Sequence, residues 1–252
     1  MKRNKLRRLD TDKGRAYVLE DGGKIIFLPS VTSILSLKSS NYLMELEDKI
    51  GKEELQEIAH RAALRGIAMH SFIENYLICL QKKGDKDSCL LYTKRKSTDL
   101  LLNEMEKERV AAGRSLFYNM YHSGIFDRIK KVMFTEQFLY SKRYLFAGTT
   151  DFVFLDEDDC VAVTDFKSAS SPRIQEIIDK HKCQVAAYAI AFEELYKKHV
   201  DRGEIWISHN DGLQIEELKG DEMEEKKKEF LQLCETYHFM WDISPFEKIY
   251  SR

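Results

Sequence analysis

Residues 132 to 166 limit the possible folds of this chain more than any other part. Three runs there, Val132 to Leu139, Tyr144 to Leu155 and Cys160 to Phe166, are rich in β-branched and aromatic residues. That is the composition of consecutive strands. Helical patterns flank the block. Glu53 to Leu80 puts Ala59, Ala63, Gly66, His70, Ile73 and Leu77 on one stripe at spacings of three and four. Thr98 to Ser123, closed by Gly124, reads as a second helix, and Arg173 to Lys198 as a third. Asp221 to Trp241 reads as the last, with Asp221 and Glu224 as a capping box. Its buried face would be Met223, Phe230, Cys234, Tyr237 and Trp241.

Shorter signals fill the rest. Tyr17 to Leu28 suggests a hairpin turning at Asp21-Gly22-Gly23, and Glu204 to Leu218 another around Asn210-Asp211-Gly212. "PSVTSIL" (Pro29 to Leu35) offers Ser30 or Thr32 as the N-cap of a short helix. The polar stretch Gly84 to Lys96 reads as a mobile loop. The order implies an α/β fold, a small central mixed β-sheet flanked by helices. With only three prolines and no Gly/Ser linker, a single domain is expected over residues 1–252. It would have a mainly helical part (1–130), a sheet and helix (131–218) and a C-terminal helix (219–252).

Composition excludes several classes. With 43% hydrophobic and 33% charged residues, the chain can build a core and is not disordered. The net charge of -2 means that any nucleic-acid surface must be local. Lys2 to Arg8 is one basic patch, read as a solvated tail. No apolar run approaches the ~20 residues of a membrane span. Five cysteines, no two of them two to four apart, make neither a disulfide framework nor a zinc or iron–sulfur cassette. A reducing, cytoplasmic setting follows.

The apolar run Val161-Ala162-Val163 ends in Thr164-Asp165-Phe166-Lys167. A buried charge is costly unless it is paired or binds a metal. If the acidic turn Asp156 to Asp159 has its apex at Asp158, Asp151 and Asp165 face each other across a hairpin, with Cα atoms ~4.5–5.5 Å apart. Lys167 then shares a face with Asp165. Two such carboxylates call for a cation between them, and oxygen ligands suit Mg²⁺ or Mn²⁺. The competing reading is a surface hairpin with solvated acids. It fits Asp156 to Asp159 better than Asp151 and Asp165, which are embedded in apolar sequence.

Four motifs add to this. "RGIAMH" (Arg65 to His70), "GTTD" (Gly148 to Asp151), "DFK" (Asp165 to Lys167) and "QVAAY" (Gln184 to Tyr188) resemble the PD-(D/E)XK nuclease signature, in particular its RecB-type branch. With "PSVTSIL" and "DFKSAS", the chain is most similar to the mitochondrial genome maintenance exonuclease group and its phage and bacterial relatives. The resemblance spans Pro29 to about Tyr188. It implies a restriction-endonuclease-like core and a metal-dependent exonuclease acting on single-stranded DNA ends or flaps in replication, repair or recombination. It also implies that His70, Asp151, Asp165 and the carbonyl of Phe166 hold the metal and that Lys167 activates the attacking water. Gln184 and Tyr188 would shape the site and touch the DNA backbone. Glu136 would be a supporting acid or a further ligand.

Ser168 and Ser170 would donate to a phosphate or cap the next helix. Arg65, Lys142 and Arg143, with Lys38 and Arg61, would meet phosphates. Tyr42, Phe72, Tyr76 and Tyr144 would stack on bases or pack in the core. Some relatives carry four cysteines for an iron–sulfur cluster; that pattern is missing here, so no cluster is expected. No G-x-x-x-x-G-K-[ST] motif occurs, so a helicase or replication partner would be a separate chain. A monomer is expected, in the host cytoplasm if the chain is phage-encoded. Two other functional readings are a catalytically silent DNA-binding adaptor on the same fold and an RNA-processing nuclease. The intact Asp151–Asp165–Lys167 set argues against the silent one.

Overall fold

The computed structural model describes residues 5–11, 14–38, 41–97 and 104–240. It opens with strands where a solvated tail was expected. β1 (Lys5–Thr11), β2 (Gly14–Asp21) and β3 (Lys24–Pro29) form an antiparallel sheet in that order. Leu6 pairs with Leu19 and packs into a small core with Tyr17, Leu28 and Ala147. Lys5 and Arg7 alternate with it, and Arg7 reaches Glu20 at 3.0 Å. Charged side chains of this kind also keep an edge strand from pairing with other chains. The β2–β3 turn is the expected one: Gly22 and Gly23 have φ of 59° and 88°, the left-handed pair that a two-residue hairpin favours.

α1 (Val31–Ile34) is capped by Ser30, whose Oγ accepts from Ser33 N at 2.9 Å. The helices α2 (Asn41–Ile50), α3 (Lys52–Lys83), α4 (Lys86–Ser97) and α5 (Glu104–His122) follow. Gly51 and Gly84 close α3 at either end. The segment read as a mobile loop is therefore α4. Asp85 accepts from Ser88 N at 3.0 Å at its start, and Cys89 and Thr93, one turn apart, are buried. The expected start of the second helix, residues 98–103, lies outside the described residues. The α3 stripe also divides. Ile73 and Leu77 are buried, whereas Ala59 and Ala63 are exposed and Gly66 and His70 half-exposed.

The central sheet has five strands in the order β4 (Ile129–Ser141), β5 (Phe146–Asp156), β6 (Val161–Ser168), β7 (Arg202–His209) and β8 (Gly212–Leu218). Only β6 and β7 are parallel, and α6 (Gln175–Tyr196) is the crossover between them. α7 (Gly220–Met240) closes the described chain. It begins one residue early for the expected capping box. Asp221 lies inside its first turn, and Glu224 bonds Lys227 instead. Met223, Phe230 and Cys234 are buried as expected; Trp241 lies outside the described residues.

Helices cover both faces. Val153, Val163, Ile205 and Ile207 pack under α6 and α7. Phe152, Phe154, Phe166 and Trp206 pack under α3 and α5. The N-terminal helices thus share the core of the sheet. Among the described residues, no helix is long and apolar enough to cross a membrane, and the five cysteines are free thiols.

Candidate metal centre and its cleft

The site forms where two ladders give way at one level. β5 and β6 pair from Leu155↔Val161 to Phe152↔Thr164, the register set by an apex at Asp158. Asp151 and Asp165 fall next in line, one step past the last pair. There Phe166 N donates to Asp151 Oδ2 at 2.7 Å, and β6 continues against β7 with Asp165 beside Ile205. On the other side, β4 pairs Thr135↔Phe152 and Gln137↔Thr150 but skips Glu136 opposite Asp151. Glu136 has φ 47°, a left-handed conformation uncommon for a residue with a side chain. Both strands change face here. Phe134 and Leu139 on β4, and Phe146 and Val153 on β5, are each an odd number of positions apart, yet all meet the α6-side core. The kink turns two carboxylates out of the ladder and toward α3.

His70 on α3 meets them. Its Nδ1 lies 3.6 Å from Asp151 Oδ1 and 3.8 Å from Glu136 Oε1, and its Nε2 donates to the Phe166 carbonyl at 2.9 Å. One donor atom each from His70, Glu136 and Asp151 falls within 4.8 Å of the others. Asp165 stands beside this trio. Its Oδ2 is 2.5 Å from Lys167 Nζ, and its Oδ1 accepts from Gln184 Nε2 at 2.9 Å. The second N–H of Gln184 goes to Tyr188 Oη at 3.1 Å. Gln184 and Tyr188 are 9% and 3% exposed, so they support Asp165 from behind.

Two glycines allow the close fit. A Cβ on Gly66 would lie 3.2 Å from Ser168 Oγ, and one on Gly148 only 2.6 Å from the Tyr188 ring.

The electrostatics ask for more positive charge. Burial pushes the carboxyls of Asp151 and Asp165 above the usual range, and Lys167 and His70 only partly offset it. Burial also disfavours the His70 imidazolium, but the Asp151 charge and the Glu136 hydrogen bond outweigh it and hold its pKa up at about 9. Glu74, one turn along α3 from His70, is raised by burial and then by Glu136. Four carboxylates, Glu74, Glu136, Asp151 and Asp165, gather around His70 and Lys167. The Glu136 and Asp151 carboxylates with the His70 imidazole suit a divalent cation, so the donors present fit one.

These residues line a cavity of about 660 Å³. Its walls include residues that the motifs did not single out. Arg8 and Arg15 come from the N-terminal sheet, Phe138 and Thr149 from the sheet floor, and Ile67 and Glu74 from α3. Tyr17 Oη bonds Thr149 Oγ1 at 3.0 Å and ties the N-terminal sheet to the site. Glu74 had a local signal in its i, i+4 spacing from His70, and Arg8 one in the basic run Lys2 to Arg8.

Other expected residues lie elsewhere. Lys142 and Arg143 sit in the β4–β5 turn, away from the cavity. Lys142 pairs with Asp21 at 2.5 Å and Arg143 covers the Tyr144 ring. Lys38 is bound by Asp179 and Glu229. Phe72 and Tyr76 are core residues, Tyr144 packs at the edge of the opposite core, and the Tyr42 side chain lies outside the described residues. Ser168 lines the cavity, while Ser170 lines a neighbouring one with Arg61 and Arg65. Neither serine caps α6, whose N-cap is Ile174.

The family model of the PD-(D/E)XK nuclease superfamily matches residues 30–244. No curated protein matches the chain. Among solved structures, the crystal structure of SSO0001 shares 13% identity over 62% of this chain and 72% of that chain, with a TM-score of 0.34.

Proposed function

We propose that this chain, which belongs to the PD-(D/E)XK nuclease superfamily, is a deoxyribonuclease that trims single-stranded ends or flaps in DNA replication, repair or recombination. The observation that carries this reading is the meeting of His70, Glu136 and Asp151 with the Asp165–Lys167 pair in one cavity. The order of the motifs, R-G-x-x-x-H, G-x-x-D, D-x-K and Q-x-x-x-Y, supports a place in the RecB-type branch, near the mitochondrial genome maintenance exonuclease.

His70, Glu136 and Asp151 would hold Mg²⁺ or Mn²⁺, with Asp165 and the Phe166 carbonyl at hand beside them. The ion supplies Lewis acidity at the phosphate and at water. Lys167 orients the attacking water and donates to the phosphate oxygen that gains charge. Water attacks phosphorus in line, and the bond to the 3′ oxygen breaks. Asp165 fixes the Lys167 ammonium, and Gln184 and Tyr188 hold Asp165 in place. Phe138, 39% exposed, and Ile67, 66% exposed, give the cavity apolar surface on which unpaired bases can rest. Arg8 and Arg15, which share Asp10 as an acidic partner, would meet phosphates. The free cysteines suit a reducing cytoplasm. We read the chain as a monomer whose helicase or replication partner, if it has one, is a separate protein.

The test uses end-labelled single-stranded DNA, duplex DNA and RNA with Mg²⁺, Mn²⁺ or chelator. Cleavage of single-stranded DNA should need the metal and start from ends. Lys167→Ala should lose cleavage by 10²-fold or more, on the order expected for a lost charge-stabilising group, and keep DNA binding. Cleavage surviving Asp165→Ala would overturn the site, and preference for RNA would overturn the substrate.

A further inference from the structure

A second cavity, of about 630 Å³, adjoins the first across α3. Ala62 lines both, and Arg65 and Gly66, adjacent on α3, line one each. On the facing wall, Ser168 belongs to the first cavity and Ser170 and Arg173 to the second. The chemistry of the second differs. Among the described residues its lining has no aspartate, and two glutamates, Glu57 and Glu108, face four arginines, Arg61, Arg65, Arg109 and Arg173. Glu57 lies 3.6 Å from Arg61.

Arg65 and Arg173 are the unusual pair. Among the described residues, neither has a carboxylate partner. Arg173 donates from Nη2 to the Ser168 carbonyl at 3.2 Å. The Nε atoms of both are buried without a hydrogen-bond acceptor. Burial and the neighbouring Arg173 both weigh against the charge of Arg65. Two guanidinium groups that are partly desolvated, close together and short of acceptors raise the free energy of the empty protein. An oxyanion between them removes the penalty, because each guanidinium presents a planar fork of donors that matches a phosphate.

We propose that this cavity is a phosphate-binding subsite, in which Arg65 and Arg173, with the Ser170 hydroxyl, hold a phosphate of the substrate strand. It rests on the reading of the chain as a nuclease. Arg65 precedes His70 by five residues, ~7.5 Å along the helix at 1.5 Å per residue. The phosphate held is thus a neighbour of the scissile one. Ser168 and the Ala62–Gly66 surface form the passage between the two cavities. The phosphate is either internal to the strand or its terminal monoester; the recognition chemistry is the same.

The test measures binding of fluorescent single strands in chelator, at several salt concentrations, for the wild type and for Arg65→Gln/Arg173→Gln. Three strands are compared: 5′-phosphorylated linear, 5′-hydroxyl linear and circular. The double variant should bind at least tenfold more weakly. The slope of log K against log salt should fall by about 0.7 for each phosphate of a single strand that the variant no longer neutralises. An equal loss on all three strands assigns an internal phosphate, and a loss confined to the 5′-phosphorylated strand assigns the terminal one. Wild-type affinity and slope on all three would overturn the proposal. Arg65→Lys/Arg173→Lys controls for folding. It should keep most of the slope while losing part of the affinity, since charge remains and the fork is gone.

A direct probe separates this proposal from the nuclease reading. Inorganic phosphate should raise the melting temperature of the wild type and not of the glutamine variant. Metal-dependent cleavage without these effects sinks the subsite alone. An absence of cleavage sinks the nuclease reading whatever phosphate does.

Discussion

Asp165 depends on a relay of side chains that ends at a glycine. Gln184 gives one N–H to Asp165 and the other to Tyr188, and the Tyr188 ring lies where a Cβ of residue 148 would be. Gly148→Ala would put that Cβ 2.6 Å from Tyr188 and 3.2 Å from Val31, so the ring must shift and carry Gln184 with it. Overpacking of this kind costs about 1–3 kcal/mol, and cleavage should fall more than tenfold even where the variant is folded. Tyr188→Phe removes only the end of the relay. It should cost about 0.5–1.5 kcal/mol and lower cleavage several-fold at most. Urea melts with single-turnover cleavage rates check both, and an equal loss of activity in the two would mean that the relay does not set the geometry. The register that leads up to Asp151 and Asp165 was legible because a short acidic turn fixes it locally, although the ladder stops one pair short of them. The kink at Glu136 was not. Its φ of 47° comes from how β4 and β5 bend together, and no local pattern around Glu136 encodes that.

Elements whose partners lie far along the chain were the hardest to read. α4 buries only Cys89 and Thr93 fully and packs Leu90 and Tyr92 in part, a short apolar signal among charged residues, so the stretch looked like a loop. β1 is a strand because β2 offers it a ladder, and its basic composition alone resembles a tail. The α3 stripe was real in spacing, but in its first half Ala63, Gly66 and His70 open onto the metal-site cavity. Only its second half packs against α5. That packing is close: a Cβ on Gly113 of α5 would lie 2.5 Å from Ala68 Cβ and 2.7 Å from Met69 N. Backbone cannot swing aside as a side chain can, so Gly113→Ala must move α5 away from α3. A loss of about 1–3 kcal/mol is expected in chemical denaturation. Because α3 carries His70, metal-dependent cleavage should weaken as well. Wild-type stability for Gly113→Ala would contradict the close approach.

Across the whole molecule, acids fall into two sets with opposite environments. At the metal site Asp151 and Asp165 are buried without enough positive charge, while the acids at the far end of the strands are well matched. Asp156 ends β5 and shows the second set. Its Oδ1 accepts from Cys160 N at 2.9 Å and Asp158 N at 3.0 Å, and its Oδ2 from Arg202 at 2.6 Å. Arg202 also bonds Glu204, which accepts from Arg128 and from the Trp206 indole. Burial works against the Asp156 carboxylate, but the two N–H groups and Arg202 outweigh it and lower its pKa. Composition read Asp156 as part of a solvated turn, because Arg202 lies 46 positions away and only the parallel β6–β7 pairing brings it near.

The sign of the pH effect follows. The folded pKa lies below the unfolded value of ~3.9, so the stabilisation is complete above that value. It is lost as pH falls through the folded pKa. Asp156→Asn should lower stability by about 1.5–3 kcal/mol at pH 7, the worth of hydrogen bonds to a charged group. It should also flatten the decline below pH ~4. Asp179 and Glu229, lowered by Lys226 and Lys38 against the effect of burial, keep some of that decline in the variant. Urea midpoints from pH 6 down to pH 2.5 decide it. If wild type and variant decline in parallel, Asp156 carries no acid-linked stability.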